Sequence, residues 1–263
     1  MKRLLVHFWR GGEPRLNYGE ALIEPIVRFF GDQLVPDIPL NRSLSAPVVL
    51  MIGSELYREH VEQVRAGHRK VIVWGYGHSH GHPPDISLLD IRAVRGECTR
   101  TSLQLSASLP CADPGFLLPQ VFPIDAHHTG PALWAPHLHN RSHAHDRAAQ
   151  WEAEYFDVDV RPSRIAEHVT RIANSRFVYT SSLHVTITCL AYGTPFALCL
   201  APGDKVDKPA KWEDIWSTLT NPPPLTWCQD PTEAATWWTS AGQHARPPET
   251  TALLEAFPHD AAF

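Results

Sequence analysis

The sequence predicts an α/β protein of two halves, each built on a mostly parallel sheet, with a cleft between them. Three observations carry this expectation. Near-continuous apolar runs at Pro47–Ile52, Lys70–Trp74, Leu88–Val94, Arg176–Thr180 and Thr194–Leu200 lack in/out alternation, as strands covered on both faces do. Helical spacing separates them, clearest at Ile165, Val169 and Ile172. The pattern lapses over 123–132, a stretch of Pro, Gly, Asp and two His. The joint is placed there, dividing the chain into 1–125 and 126–263.

Each element has a local reason. Leu4–Trp9 reads as the first strand, followed by Gly11 and Gly12 and a helix over Asn17–Phe30 with Leu22, Ile26, Phe29 and Phe30 at helical spacing. Pro47–Ile52 stops at Gly53, and Ser54 is placed to cap a helix to Ala66. Lys70–Trp74 stops at Gly75. Leu88–Val94 leads through Gly96 into a short helix to Leu105, and Asp113-Pro114-Gly115 is a turn. In the second half Ala132–Pro136 and Tyr155–Val158 read as strands, His139–Asp146 as a polar loop and Ser163–Ala173 as a helix. Arg176–Thr180, a helix capped by Ser181 or Ser182 that ends at Gly193, and Thr194–Leu200 form the clearest βαβ unit. Residues 211–219, 248–257 and the neighbourhood of Trp237 and Trp238 also read as helical.

Composition narrows the function classes. The 263 residues carry a net charge of -5 with no basic stripe, which argues against nucleic acid as a partner. No apolar run approaches the roughly 20 residues of a membrane span, and the start carries no signal-peptide pattern. The five cysteines (Cys98, Cys111, Cys189, Cys199 and Cys228) are odd in number and contain no CxxC. Neither a disulfide framework nor a Cys-rich zinc site is expected, Cys189 and Cys199 are expected to be buried thiols, and the address expected is cytoplasmic.

Ligands of parallel sheets sit at the C-terminal ends of strands, so the candidate residues are those that follow strands. Thr180-Ser181-Ser182-Leu183-His184 passes from a buried strand into a helix whose first N–H groups are unpaired and suited to an anion. His184 beside them is a candidate for moving protons. The alternative is a capping serine and a histidine bonded to a carbonyl. Arg95, at the end of a strand and before Gly96, can fork onto a carboxylate or phosphate, and Arg92 and Arg100 are less well placed. Surface ion pairing is the alternative for all three. Asn17, Gly19 and Glu20 follow the first strand's loop, but GGEPRLNYG is no dinucleotide fingerprint. Gly75 and Gly77 permit close backbone approach. Asp113 falls near the same mouth. The charged run Gly203–Asp214 offers Lys205 or Lys211 to an anion, with a solvated face as the alternative. The paired histidines at 78/80/82, 137/139 and 143/145 lack convergent ligands and are expected to be solvated, and no metal is expected.

In order, these pieces resemble the polysaccharide pyruvyl transferase family, and in particular the short ketal pyruvyl transferases of bacterial exopolysaccharide biosynthesis. Asn17-Tyr-Gly-Glu20-Ala-Leu is similar to N-x-G-D-x-L, Trp74-Gly-Tyr-Gly77 to W-G-x-G, and Val94-Arg95-Gly96-Glu-Cys-Thr-Arg100 to V-R-G-P-x-T-R. Asp113-Pro-Gly-Phe-Leu-Leu is similar to D-P-G-x-L-L. Ser181-Ser182-Leu183-His184 with Ala191-Tyr-Gly-x-Pro195 is similar to S-S-L-H-G then A-Y-G-x-P. Lys211-Trp-Glu-Asp214 resembles K-Y/F-x-D, and Leu253–Pro258 resembles the ends of short members. Glu20, Glu97 and Val185 depart from the pattern, the last adding a β-branched group at the pocket mouth.

The resemblance implies a GT-B-like fold of two Rossmann-like domains, 1–125 and 126–263. It implies transfer of pyruvyl from phosphoenolpyruvate to two hydroxyls of a saccharide or lipid-linked oligosaccharide, with release of phosphate. No cofactor is implied beyond the donor substrate. Arg95 and His184 are the implied catalytic residues. Asn17, Gly19, Glu20, Gly75, Gly77, Arg100, Asp113, Ser181, Ser182, Leu183, Lys205 and Lys211 are expected to bind substrate, with free N–H groups at Ser182 and Leu183. A cytoplasmic enzyme, in peripheral contact with the inner face of the plasma membrane, is expected. The competing readings are a GT-B glycosyltransferase using a nucleotide sugar and a non-catalytic glycan-binding protein.

Overall fold

The computed structural model describes residues 2–10, 14–38, 46–68, 70–201 and 203–263; the turn expected at Gly11 and Gly12 lies outside them. From the first half come β1 (Arg3–His7), β2 (Leu16–Asn17), β3 (Gln33–Pro36), β4 (Val48–Leu50), β5 (Val71–Tyr76) and β6 (Leu89–Val94). From the second come β7 (Leu133–Ala135), β8 (Glu154–Tyr155), β9 (Asp159–Val160), β10 (Val178–Thr180) and β11 (Phe196–Leu198). One sheet has the order β3-β1-β4-β5-β6 and the other β11-β10-β7-β8, and every pairing in both is parallel. The protein is thus a GT-B-like α/β fold with two Rossmann-like sheets.

The unalternated strands are explained by cover on both faces. Leu4, Val6, Val49, Ile72 and Trp74 enter one apolar cluster, while Leu5, Val48, Leu50, Val71 and Val73 enter another on the opposite face of the first sheet. The first cluster continues into the second half through Trp134, Val178 and Phe196, so the two halves share a core.

The order of strands decides where a ligand can sit. In the first sheet the chain turns one way from β1 to β3 and the other way to β4, so the reversal lies between β1 and β4. In the second it lies between β7 and β10. A crevice opens beyond the strand ends at such a reversal, because the connecting segments diverge to opposite faces. Both crevices face each other. They are tied together by the antiparallel pair β2–β9, by Tyr18 N–H donating to Val158 O at 2.7 Å, and by a 3.0 Å hydrogen bond between the Tyr18 and Thr188 hydroxyls.

Several expected elements differ in extent. The helix expected over Asn17–Phe30 is broken into Tyr18–Ala21 and Ile23–Phe29. Pro25 has no N–H to donate to Ala21 O, so the first turn cannot run on into the second. The helix expected from Ser54 begins at Arg58, because Ser54 is engaged elsewhere. The strand expected at Tyr155–Val158 is replaced by β8 and β9, which belong to different sheets. The C-terminal segment also leaves the second half. Phe263 and Arg3 exchange backbone hydrogen bonds of 2.8 and 2.9 Å, Phe257 stacks on Phe30 at 3.7 Å, and Trp74 Nε1 donates to Leu253 O. Among the described residues no helix is long and apolar enough to cross a membrane.

Candidate active site

The two crevices meet in one cavity of about 200 Å³. Trp9, Ile52, Gly53, Ser54, Glu55 and Tyr76 line it from the first sheet, and His137, Leu138, His139, Ser182, Leu183 and His184 from the second. Asn17 and Glu20 close one side, and Asp207, Lys208 and Lys211 the other.

His184 occupies the first turn of the Leu183–Tyr192 helix. Its Nε2 lies 3.5 Å from Asp113 Oδ2, and neither atom has a hydrogen-bond partner among the described residues. Asp113 is fully buried and its other oxygen accepts the Gly115 N–H at 2.8 Å. Its free oxygen therefore faces the imidazole from below. A Cβ on Gly19 would fall 2.2 Å from His184 Nδ1, so only glycine lets the ring lie against the Tyr18–Ala21 helix. Glu20, next along, is held by the Asn17 amide. Burial raises the Glu20 carboxyl above its ordinary range, against the opposing pull of His184, Asn17 and Lys211.

Lys211 is buried, with Nζ 2.5 Å from Asp207 Oδ2. Burial lowers its ammonium below the ordinary value, with Asp207 acting the other way. Lys208 Nζ reaches Glu55 at 3.2 Å and links the two halves across the cavity. Both ammonium groups are held at the cavity by carboxylates, where an incoming anion can compete for them.

Arg95 departs from expectation. It does not line the cavity. Its side chain is 1 % exposed, with Nε on Asp214 Oδ2 at 2.9 Å and Nη1 on Gly53 O at 3.2 Å and on Ser54 Oγ. Asp214 in turn accepts the Thr99 N–H and hydroxyl at 2.8 and 2.7 Å. The guanidinium therefore sits behind the Gly53–Ser54 wall. Nη2 alone lacks a partner among the described residues. Gly77 is required by this packing, since a Cβ there would lie 2.2 Å from Arg95 Cζ.

The other expected site residues separate. Asn17, Glu20, Ser182, Leu183 and Lys211 line the cavity, and Gly19 and Asp113 support His184. Ser181 Oγ accepts the His137 N–H at 2.8 Å. The Ser182 N–H is not free, because Thr180 Oγ1 accepts it at 2.9 Å. The Leu183 N–H begins the helix and has no partner within it. Gly75 packs on Pro114, where a Cβ would meet Cδ at 2.4 Å. Arg100 binds Glu97 and the carbonyls of Ala107 and Leu109, away from the cavity. Lys205 lines a neighbouring groove.

Sequence reasoning missed Trp9, Ser54, Glu55, Tyr76, His137 and Asp207. Ser54 had a legible signal, since it follows an apolar run and a glycine. His137, expected to be solvated, is nearly enclosed, with Nε2 3.5 Å from Asp207. Burial and the Lys211 charge push its imidazole down from 6.5 to about 4. The unfolded chain thus binds this proton first, so its contribution to stability is complete above pH 6.5 and is lost as pH falls towards 4. The expected result for His137→Gln is a flatter dependence of stability on pH over that window, by a difference of about 3 kcal/mol. Thermal melts at matched ionic strength check it.

Comparison with known proteins follows the same lines. Residues 87–203 match the polysaccharide pyruvyl transferase family. The pyruvyl transferase match contains Arg95, Asp113, His137 and Ser181–His184. It leaves Asn17, Glu20, Lys208 and Lys211 outside. A crystal structure of a functionally uncharacterized protein of Klebsiella pneumoniae subsp. pneumoniae superposes with a TM-score of 0.51 at 15% identity, covering 87% of this chain and 93% of that one. That likeness is one of fold. No curated protein matches the chain. Among the described residues no group of three or more His, Cys, Asp or Glu is arranged to hold a metal ion.

Proposed function

We propose that this protein moves a pyruvyl group from phosphoenolpyruvate onto two hydroxyls of a saccharide, free or lipid-linked, as a ketal. The observation that carries the reading is the convergence of His184, from the family-matched segment, with Glu20 and Lys211, from outside it, on one small cavity at the meeting of the two sheets.

The chemistry needs an anion cradle, an acid for the donor's methylene carbon and a path for the acceptor's protons. Lys211 and Lys208 draw the phosphate and carboxylate, and the Leu183 N–H adds a helix-end donor. Protonation of the methylene carbon by His184, or by Glu20 through it, leaves cationic character at the central carbon. One hydroxyl oxygen attacks that carbon and gives up its proton to restore the acid. The C–O bond to phosphate then breaks, and the second hydroxyl closes the ketal while its proton leaves with the phosphate. Asp113 stabilises the imidazolium and holds the ring's orientation. Arg95 acts as a positioning residue through Ser54 and Gly53. No cofactor beyond the donor takes part, and the site of action is the cytoplasm, at the inner membrane face when the acceptor is lipid-linked.

The test is release of inorganic phosphate from phosphoenolpyruvate across a panel of saccharides, with product mass recorded. Release that depends on an acceptor, with a product heavier by a pyruvate ketal, is expected. Turnover of a nucleotide sugar instead, or saccharide binding with no phosphate release, would overturn the reading.

A further inference from the structure

A second, larger cavity of about 790 Å³ adjoins the first and shares His139, Asp207 and Lys208 with it. From its position and chemistry we infer that this groove is the saccharide subsite and takes an uncharged, polyhydroxylated chain rather than a nucleotide. The inference rests on the pyruvyl-transfer reading for its purpose, but not for the binding itself.

Size is the first argument. The groove lies within the roughly 300–1,000 Å³ of ligand clefts, whereas the cavity beside His184 is only large enough for a small anion. Charge is the second. Asp146, Asp204 and Asp207 stand against Arg147, Lys205 and Lys208, so formal charges cancel. A nucleoside diphosphate would be met by three carboxylates, without the net positive field that such a polyanion calls for. A neutral sugar meets both acceptors and donors for its hydroxyls.

The wall supplies the rest. Gln150 and Asn140 add amides, each able to donate and accept. Trp134 is 1 % exposed, and its Nε1–H has no partner among the described residues. A buried indole N–H on a groove wall is a donor lacking an acceptor. Continuity is the last argument. Because Asp207 and Lys208 border both cavities, a saccharide lying in the groove can present two neighbouring hydroxyls to the donor cavity past them.

The experiment is saturation-transfer NMR of the full chain with neutral disaccharides (lactose, maltose, cellobiose) and, separately, with UDP. It is run on wild type and on Asp146→Ala and Gln150→Ala, both exposed positions on the Ala144–Gln150 helix. At least one disaccharide is expected to bind, and each substitution is expected to weaken it at least ten-fold. Phosphoenolpyruvate binding should be unchanged. No disaccharide binding, binding indifferent to both substitutions, or UDP displacing the sugar from the groove would overturn the inference. Disaccharide binding that the substitutions weaken, without phosphate release from phosphoenolpyruvate, would leave this inference standing and sink the pyruvyl-transfer reading.

Discussion

Replacing His184 with Ala is expected to lower phosphate release from phosphoenolpyruvate by about 10²–10⁴-fold, the usual contribution of a positioned proton-transfer group. The fall should appear in kcat, with little change in KM for the donor, because the proposed mechanism assigns the anion to Lys211, Lys208 and the Leu183 N–H rather than to the imidazole. The residue's surroundings make the prediction specific. Its Nε2 faces a buried carboxylate 3.5 Å away, and Gly19 packs against the other nitrogen. Asp113→Asn keeps the shape of the supporting group and removes its charge. Its expected result is a smaller fall in kcat than His184→Ala, since the ring stays in place but loses the carboxylate oxygen that faces its Nε2 at 3.5 Å. Loss of Asp113 on top of His184→Ala should add little, because both act through one ring. Steady-state kinetics over a pH series check all three, and a His184→Ala variant with near-normal kcat would remove the residue from the mechanism.

The second large effect is on stability. Arg95→Met is expected to cost about 3–5 kcal/mol, the penalty for leaving one member of a buried ion pair without the other. Asp214 is 0 % exposed, and Thr99 alone remains to satisfy it. Adding Asp214→Asn removes the stranded charge while keeping an oxygen for the Thr99 donors, so the double variant should recover most of the loss. Activity should not return with stability, because Ser54 and the Gly53 carbonyl lose the guanidinium that fixes the cavity wall. Denaturant melts and kinetics on the two single variants and the double variant form a cycle that separates the pair energy from the catalytic role. A double variant as unstable as Arg95→Met would show that the ion pair is not what holds this region.

Some of the site was legible because strand ends are legible. The apolar runs that stop at Gly53 and at Thr180 locate the C-terminal ends of β4 and β10, and the residues just after them, Ser54 and Ser182–His184, are the cavity wall. His184 and Glu20 could be singled out for the same reason. His137 could not. It stands in a loop rich in histidine and looks solvated, and only the approach of Lys211 and Asp207 from about seventy residues later encloses it.

By itself the sequence determined the fold class, the two parallel sheets and the positions from which a ligand could be held, since patterning and turn residues act over a few neighbours along the chain. Whether a charged side chain faces the ligand or is consumed by a partner was decided only by the tertiary structure. Arg95 carries the same local signal as a phosphate-binding arginine, yet Asp214, far along the chain, closes on it and draws it behind the wall, while Lys211 three residues before Asp214 enters the cavity. Ion pairing of that kind depends on distances across the fold, to which no local pattern is sensitive.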